Sequence, residues 1–319
     1  MTSELPPADH TLEAGAETCH WGFFEAGLSP RLTVAPGERV RIETVSGGPA
    51  QLPPEGFTVS DALREVHAKL EPPITGHILT GPVAIEGAEP GDLLEVKIEG
   101  IALAADWGYT FFKPLGGTLP DAFPEFRQVH IALDIEAGRA TTPWGTVLPT
   151  HPFFGVLGVS PPASWGRCTS IIPRPFGGNL DNKELVPGTS LFLPVYVPGA
   201  NFSCGDGHGA QGDGEVCGTA IETALTGVFS FAVHKGKATA RPFAITPTHI
   251  MTMATGPDLD RCAEEALGDL IAYLAQTTRL SREDAYMLAS LAADLRVTQT
   301  VNQHKGVHCM IARDIVAQS

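Results

Sequence analysis

Apolar and polar residues alternate along much of the first two-thirds of the chain. Leu32 and Val34 lead into Pro36-Gly37, and Val40 and Ile42 lead out of it. Val83 and Ile85 precede Glu89-Pro90-Gly91-Asp92, and Leu94, Val96 and Ile98 follow. A third Pro-Gly pair, Pro187-Gly188, opens the run TSLFLPVYV. A period of two predicts strands, and such runs on either side of a Pro-Gly turn predict hairpins. The three turns echo one another, but their spacing is too uneven for a repeat protein. In the last quarter the period lengthens. Leu259, Ala263, Ala266, Leu267, Leu270, Ile271 and Leu274 fall on one face of a helix that Gly256-Pro257-Asp258 can start. A second helix begins at Ser281, with Glu283 and Asp284 in its first turn and Met287, Leu288, Leu291, Ala292 and Leu295 as its apolar face. Short strands are predicted over 297–301 and 307–311. The fold class expected is α+β, mainly β: a β-sandwich or barrel body with a C-terminal α/β segment. It divides into a β-rich part (1–170), a β part carrying an acidic loop (171–245) and an α/β segment (246–319), packed as one compact unit.

Composition narrows the classes. The chain has 319 residues, enough for one large domain or two ordinary ones, and 43% hydrophobic against 18% charged residues excludes disorder. A formal charge of −15 weighs against nucleic acid and anionic membranes as partners, because phosphate contacts want Lys or Arg. The uncharged stretches 140–166 and 185–205 are broken repeatedly by Pro and Gly, so neither can span a bilayer as a helix. The opening MTSELPPADH has no basic segment followed by an apolar run, so no signal peptide is expected. Six cysteines without a C-x-x-C fit a reduced, cytoplasmic setting better than a disulfide framework or a thiolate zinc site.

One segment concentrates chemistry. Asp206-Gly-His208-Gly-Ala-Gln211-Gly-Asp213-Gly-Glu215 places three carboxylates, an imidazole and a carboxamide in ten positions, with glycine at four of the other five. Glycines let such a loop turn its polar side chains toward one point. Three acids so close repel one another unless a positive charge sits among them. A divalent cation satisfies that requirement, and so does a solvated acidic turn; composition leaves both open. Gly207-x-Gly209-x-x-Gly212 matches a dinucleotide-binding pattern, but carboxylates flank it and no βαβ unit surrounds it, so that reading is rejected. Upstream, Gly177-Gly178-Asn179-Leu180-Asp181-Asn182 reads as a surface loop or as the source of one more ligand, Asp181. There is no G-x-S-x-G and no H-E-x-x-H. Cys217 is a small hydrophobe or a nucleophile. His20, His77 and His151 read as hydrogen-bonded structural histidines.

The segment PGANFSCGDGHGAQGDGEVCGTAIE resembles the signature of the acetamidase/formamidase family, D-x-H-x-x-Q-G-D-G-E with an Ile-Glu tail. GPVAIEGAEPGDLLEVKI, WGYTFF, PFFGVLGVSP, GGNLDN and SREDAYMLASLAADLRVTQTV resemble further blocks in family order, over roughly residues 75–311. The resemblance implies a metal-dependent hydrolase that splits a short amide, such as formamide or acetamide, into a carboxylate and ammonia, usually as a homodimer or higher homo-oligomer. Carried over residue by residue, the site comprises Asp206, His208, Gln211, Asp213, Glu215 and Asp181, with Asn179 in the same block as Asp181. The N-terminal part departs from the family pattern, in which H-x-G-W-D stands near His20 and an acid follows an E-T pair. Here His20-Trp21-Gly22-Phe23-Phe24 and Glu43-Thr44-Val45-Ser46-Gly47 stand instead, and His20 and Glu43 are kept as additional candidates.

The mechanism expected is amide hydrolysis by a metal-activated water. Asp206, His208 and Asp181 are the expected ligands, with zinc placed first and calcium or manganese as alternatives. Glu215 is the expected proton carrier, Gln211 or the loop amides the oxyanion donors, and Asp213 a further catalytic acid. Two rivals stand beside it: an acyl-enzyme route through Cys217, and a non-catalytic protein that holds a structural cation and binds a small polar solute.

Overall fold

In the computed structural model, residues 4–318 are described; residues 1–3, the start of the MTSELPPADH segment in which no signal peptide is expected, and residue 319 lie outside them. The alternating segments do form strands, but the Pro-Gly turns do not close hairpins. Leu32–Val34 pairs in parallel with Ile78–Ile85 in an eleven-stranded sheet, whereas Arg39–Glu43 lies between His10–Leu12 and Leu225–His234 in a nine-stranded one. Ile78–Ile85 and Leu93–Leu103, on either side of Pro90-Gly91, are likewise in different sheets. The reason lies in the turn type. Gly37 and Gly91 have φ of +94° and Gly188 of +90°. The amides of Glu38, Asp92 and Thr189 donate to the carbonyls of Ala35, Glu89 and Val186 at 3.2, 3.0 and 3.1 Å. Proline second and a left-handed glycine third make type II turns, whose twist splays the flanking strands instead of pairing them. Each turn is therefore a corner that delivers the chain into the nine-stranded sheet.

The two sheets face each other across one apolar core. Phe154 and Phe202 of the larger sheet meet Phe229 of the smaller, both with ring centroids 5.5 Å apart, and Phe202 also meets Phe231 at 5.4 Å. Ile42, Leu94, Val96, Ile98, Leu79 and Val156 fill the space around them. The chain is thus a mixed α+β fold dominated by strands, and the nine-stranded sheet runs between two edges, His10–Leu12 and Ala293–Asn302. That sheet draws strands from each of the three stretches 1–170, 171–245 and 246–319. Its far end is covered by helices.

The first of these helices, Leu259–Thr277, starts where the sequence reading placed it, with the Asp258 side chain accepting from the Arg261 amide at 2.9 Å. It buries Cys262, Ala266, Leu270, Ile271 and Leu274 against the strands His249–Gly256 and His304–Ala312. The second, Arg282–Ala292, is capped by Ser281. Its buried face is only partly the expected one, which Leu288 and Ala292 join. Ala285 and Ala289 are buried, while Met287, Leu291 and Leu295 are 59, 85 and 49% exposed. Ala285 and Ala289 are the buried residues of the face turned to the first helix and the sheet, with Leu288 and Ala292 partly buried beside them, while Met287 and Leu291 lie outside it and Leu295 falls beyond the helix end. The predicted C-terminal strands are present as an antiparallel pair, Ala293–Asn302 with His304–Ala312. A short helix, Asp61–Lys69, capped by Ser60, was not read from the sequence. Among the described residues no helix is long and apolar enough to cross a membrane, and all six cysteines are free.

Candidate active site

The acidic segment is only partly a loop. Its first residues end the strand Phe202–His208, which is flanked on one side by Phe153–Gly158 and on the other by Ile78–Ile85 and Glu222–Thr223. Gly207 serves packing here: a Cβ on it would lie 2.5 Å from the Thr223 carbonyl oxygen. The close pairing sets Glu222 opposite His208 on one side, and Phe153 opposite His208 on the other. The Phe153 ring meets the imidazole edge-on at 4.9 Å. Asp181 follows the strand Gly177–Asn179, and its amide and that of Leu180 both donate to the Gly155 carbonyl, at 3.1 and 2.9 Å. Glu215 is held by the C-terminal strand pair: the Gly214 amide donates to the Thr298 carbonyl and the Thr300 amide to the Gly214 carbonyl, each at 3.0 Å.

These elements gather five ionisable groups at one point. His208 Nε2 lies 3.3 Å from Glu222 Oε2, 3.4 Å from Asp206 Oδ2 and 3.9 Å from Asp181 Oδ1. Ligand atoms of Asp181, Asp206 and His208 lie within 4.8 Å of one another, as do those of His208, Glu215 and Glu222. No member of the cluster is more than 6% exposed. Asp181 Oδ1, Glu215 Oε2 and both ring nitrogens of His208 have no hydrogen-bond partner among the described residues. Asn302 donates to the other oxygen of Asp181. Asp181, Asp206 and Glu215 also have left-handed backbones, with φ of +45°, +55° and +45°. Such conformations cost a residue with a side chain about 1–3 kcal/mol and collect where function requires them.

Electrostatics says what this geometry needs. Two unit charges about 4 Å apart interact by about 4 kcal/mol at an effective dielectric of 20, so four buried carboxylates cannot all be ionised unaided. Burial, followed by the charge of Asp206, pushes Asp181 up to about 6. Burial pushes Glu222 up to about 7, with His208 offsetting part of it. Glu215 is raised well above the carboxylate range by burial and then by Asp181. Burial opposes ionisation of Asp206, but His77 and His208 overcome it and hold that carboxyl low. Burial likewise opposes charge on His208, and Glu222 and Asp206 outweigh it, keeping the imidazole cationic. Protons and the imidazolium balance the cluster in this form. A divalent ion would do the same by displacing them, and the unpartnered oxygens and nitrogen of Asp181, Glu215 and His208 are the kind of donors it takes. The residues fit a metal.

The remaining candidates are placed as follows. Gln211 donates from Nε2 to the Asp181 carbonyl at 2.8 Å, so its amide braces a carboxylate residue. Asp213 pairs with Lys183 at 3.0 Å, each side chain one-third exposed, apart from the cluster. Asn179 donates to the Ile171 carbonyl at 3.0 Å and leaves Oδ1 unpartnered. Cys217 Sγ is 3.5 Å from the Thr219 carbonyl oxygen and 3.6 Å from Thr110 Oγ1. Glu43 lies 3.5 Å from Arg41. His20 packs against Phe23 and Phe24 with ring centroids 5.8 and 6.2 Å away. The structure therefore brings Asp181, Asp206, His208 and Glu215 together and leaves Asp213, Glu43 and His20 elsewhere. It adds three residues that are not among the site candidates of the sequence: Glu222, His77 and Asn302. Glu222 ends the Ile-Glu tail of the signature and was legible there. His77 bonds Ser170 through Nδ1, as a structural histidine would, yet Nε2 comes within 3.7 Å of Asp206. Asn302 lies 121 residues from the carboxylate it contacts, and no local pattern announces it.

Burial, and then the charge of Arg31, lowers His20 to about 4 from its ordinary 6.5. Because the folded value is depressed, its stabilising contribution is full above pH 6.5 and is lost as pH falls toward 4, where the unfolded chain binds the proton first. Between pH 7.5 and 5.0 that loss is about 2 kcal/mol. Denaturant titrations at the two pH values should give a difference smaller by that amount for His20→Leu than for the parent chain; an unchanged difference would count against it.

A cavity of about 430 Å³ opens onto the cluster. Asp181, Asp206, Glu215, Glu222, His77, Asn179, Asn302 and Cys217 line it, while His208, fully buried, is not among the lining residues.

Comparison with known proteins places the chain in a family. The sequence pattern of the Acetamidase/Formamidase family matches residues 9–166 and 163–316. A solved acetamidase from Bacillus halodurans superposes with a TM-score of 0.83 at 30% identity, over 97% of this chain and 99% of that one. A formamidase from Methylophilus methylotrophus is 32% identical over 234 residues, 54% of this chain and 57% of that protein. An acetamidase from Mycolicibacterium smegmatis is 32% identical over 251 residues, 60% of either chain. The match thus spans less than two-thirds of the length of these two curated relatives.

Proposed function

The chain belongs to the acetamidase/formamidase family, and from that premise we propose that it hydrolyses the C–N bond of a short aliphatic amide, of the formamide or acetamide kind. Amide and water give carboxylate and ammonium. The observation that carries this reading is the ring of carboxylates around His208 Nε2 at 3.3–3.9 Å, buried and with unpartnered donor atoms, on the floor of a cavity. Asp181, Asp206 and His208 would hold a divalent ion, zinc first and calcium or manganese as alternatives. Such an ion, when bound, supplies Lewis acidity toward an amide carbonyl and lowers the pKa of water.

The chain's own residues do the rest. Glu215 is buried, lines the cavity and has Oε2 free, so it is placed to take a proton from the attacking water and deliver it to the leaving nitrogen. That delivery is needed because an amide anion is a very poor leaving group. Asn302 and Gln211 fix Asp181 from two sides, through its carboxylate and its carbonyl. His77 lines the cavity and is the better placed donor for the developing oxyanion, since Gln211 is not among the lining residues. Cys217 also lines the cavity, but its sulfur faces threonine hydroxyls and a carbonyl, and a nucleophilic thiol needs a base.

Ammonia release from formamide through butyramide tests the reading, with metal-stripped protein and after adding back Zn²⁺, Mn²⁺ or Ca²⁺. Activity is expected to vanish on stripping and return with one of the ions. No ammonia from any amide under any condition would overturn it in favour of a binding protein.

A further inference from the structure

The cavity is polarised along one strand. Tyr109 is paired across from Glu222, at the acidic floor, and its phenol is raised well above its usual range by burial and then by Glu222. Two residues on stands Phe111, and two beyond it Lys113; all three line the cavity. The Tyr109 and Phe111 rings lie parallel within 3°, with centroids 6.4 Å apart, so the wall between floor and mouth is aromatic. Four residues of extended chain span about 13 Å. At the outer end Lys113 is exposed and makes no ion pair among the described residues, although the chain carries 36 acids against 21 bases. The acids that line the cavity, Asp181, Asp206, Glu215 and Glu222, are all buried at its floor. The volume, about 430 Å³, is also far larger than a one- or two-carbon amide requires and is that of a site for a larger organic ligand.

We propose that the preferred substrate is a longer primary amide whose acyl part has an apolar or aromatic middle and ends in a carboxylate, which Lys113 binds at the cavity mouth. This rests on the amide hydrolysis proposed above, keeps formamide and acetamide as substrates of lower kcat/KM, and adds the chemistry of the far end. The amide enters toward the carboxylate floor, the middle lies along Tyr109 and Phe111, and the anionic end meets a positive charge that has no ion-pair partner among the described residues. Short neutral amides reach the same floor but leave the wall and Lys113 without contacts. An anion oriented the other way would meet four carboxylates.

The test compares matched pairs on protein loaded with the ion that supports turnover: adipic acid monoamide against hexanamide, and 4-carbamoylbenzoate against 4-methylbenzamide. The parent chain is expected to favour the carboxylate member by about fivefold in kcat/KM at low salt, the scale of one exposed charge pair, and less in 0.5 M salt. Lys113→Met should bring the ratio to about one and Lys113→Glu below one. Lys113 is exposed at a loop start, so both variants should keep the parent's Tm and metal content, which are measured alongside. A parent ratio at or below one, or a ratio unchanged in Lys113→Met, overturns the proposal while leaving amide hydrolysis in place. No ammonia from either member of any pair, nor from acetamide, overturns both.

Discussion

Glu215→Gln is expected to lower kcat for amide hydrolysis by roughly 10²–10⁴-fold, the usual contribution of a positioned proton carrier, while metal content stays near that of the parent chain. The substitution is isosteric, so the cavity floor keeps its volume. It removes the one property the proposal assigns to the residue, the ability to hold a proton and release it. The site around it is not expected to collapse, because Glu215 is positioned through backbone bonds. The Gly214 amide and carbonyl are held by Thr298 and Thr300, and the Gly218 amide donates to the Glu215 carbonyl at 2.9 Å; none of these uses the carboxylate. Steady-state rates and metal analysis on the same preparation separate two roles that geometry places close together. Glu215 also lies within 4.8 Å of His208 and Glu222 through a ligand atom. If the variant loses metal in parallel with activity, Glu215 is a ligand and proton transfer belongs to another group. Cys217→Ala in the same assay should retain activity; its loss would favour the thiol route.

Much of this architecture was legible in the chain, and the misreadings have physical causes. The helix beginning at Leu259 was visible because Asp258 caps it and its apolar residues repeat without competition. The face of Arg282–Ala292 is legible in part: Leu288 and Ala292 pack as the period predicts, but hydrophobic weight favours Met287 and Leu291 over Ala285 and Ala289. Packing rewards close approach, and the alanines allow it. The corners at Pro36-Gly37 and Pro90-Gly91 were read as hairpins because alternation gives strands and not their partners; the sense of a type II turn decides that. In the site, Asp206, His208 and Glu215 were legible through their density in ten residues. Asp213 belongs to the same motif, yet the structure pairs it with Lys183, since a cluster in sequence does not fix which side chains turn inward. Glu222 stands in the Ile-Glu tail of the signature, but only the strand register opposite His208 brings it into the cluster. His77 and Asn302 needed the tertiary fold.

Gly155→Ala should cripple the site without any change to a polar residue. Gly155 lies in the strand Phe153–Gly158, beside the cluster, and accepts from the amides of Leu180 and Asp181. A methyl group there would sit 2.5 Å from Asp181 Oδ1, 2.5 Å from Asp206 Oδ2 and 2.8 Å from His208 Cε1. Contacts that short require movement, and everything nearest the methyl is a proposed ligand. The two aspartates have short, buried side chains, one braced by Asn302, so neither carboxylate can withdraw without opening the ring. Gly155 is not among the glycines with positive φ, so alanine fits the backbone and the effect falls on the cluster. Overpacking of this kind costs about 1–3 kcal/mol of stability, which leaves the chain folded. Displaced supporting contacts around a metal site typically weaken binding by about 10–100-fold, and displacement of the ligands themselves should do at least that. Expected, then, are a chain with parent-like circular dichroism, a modestly lower Tm, at least tenfold weaker Zn²⁺ binding by competition with a chelator, and little or no ammonia release. Parent-like metal affinity in a folded Gly155→Ala would show that Asp181, Asp206 and His208 do not hold the ion together. The shared cation site would then have to be sought among His208, Glu215 and Glu222.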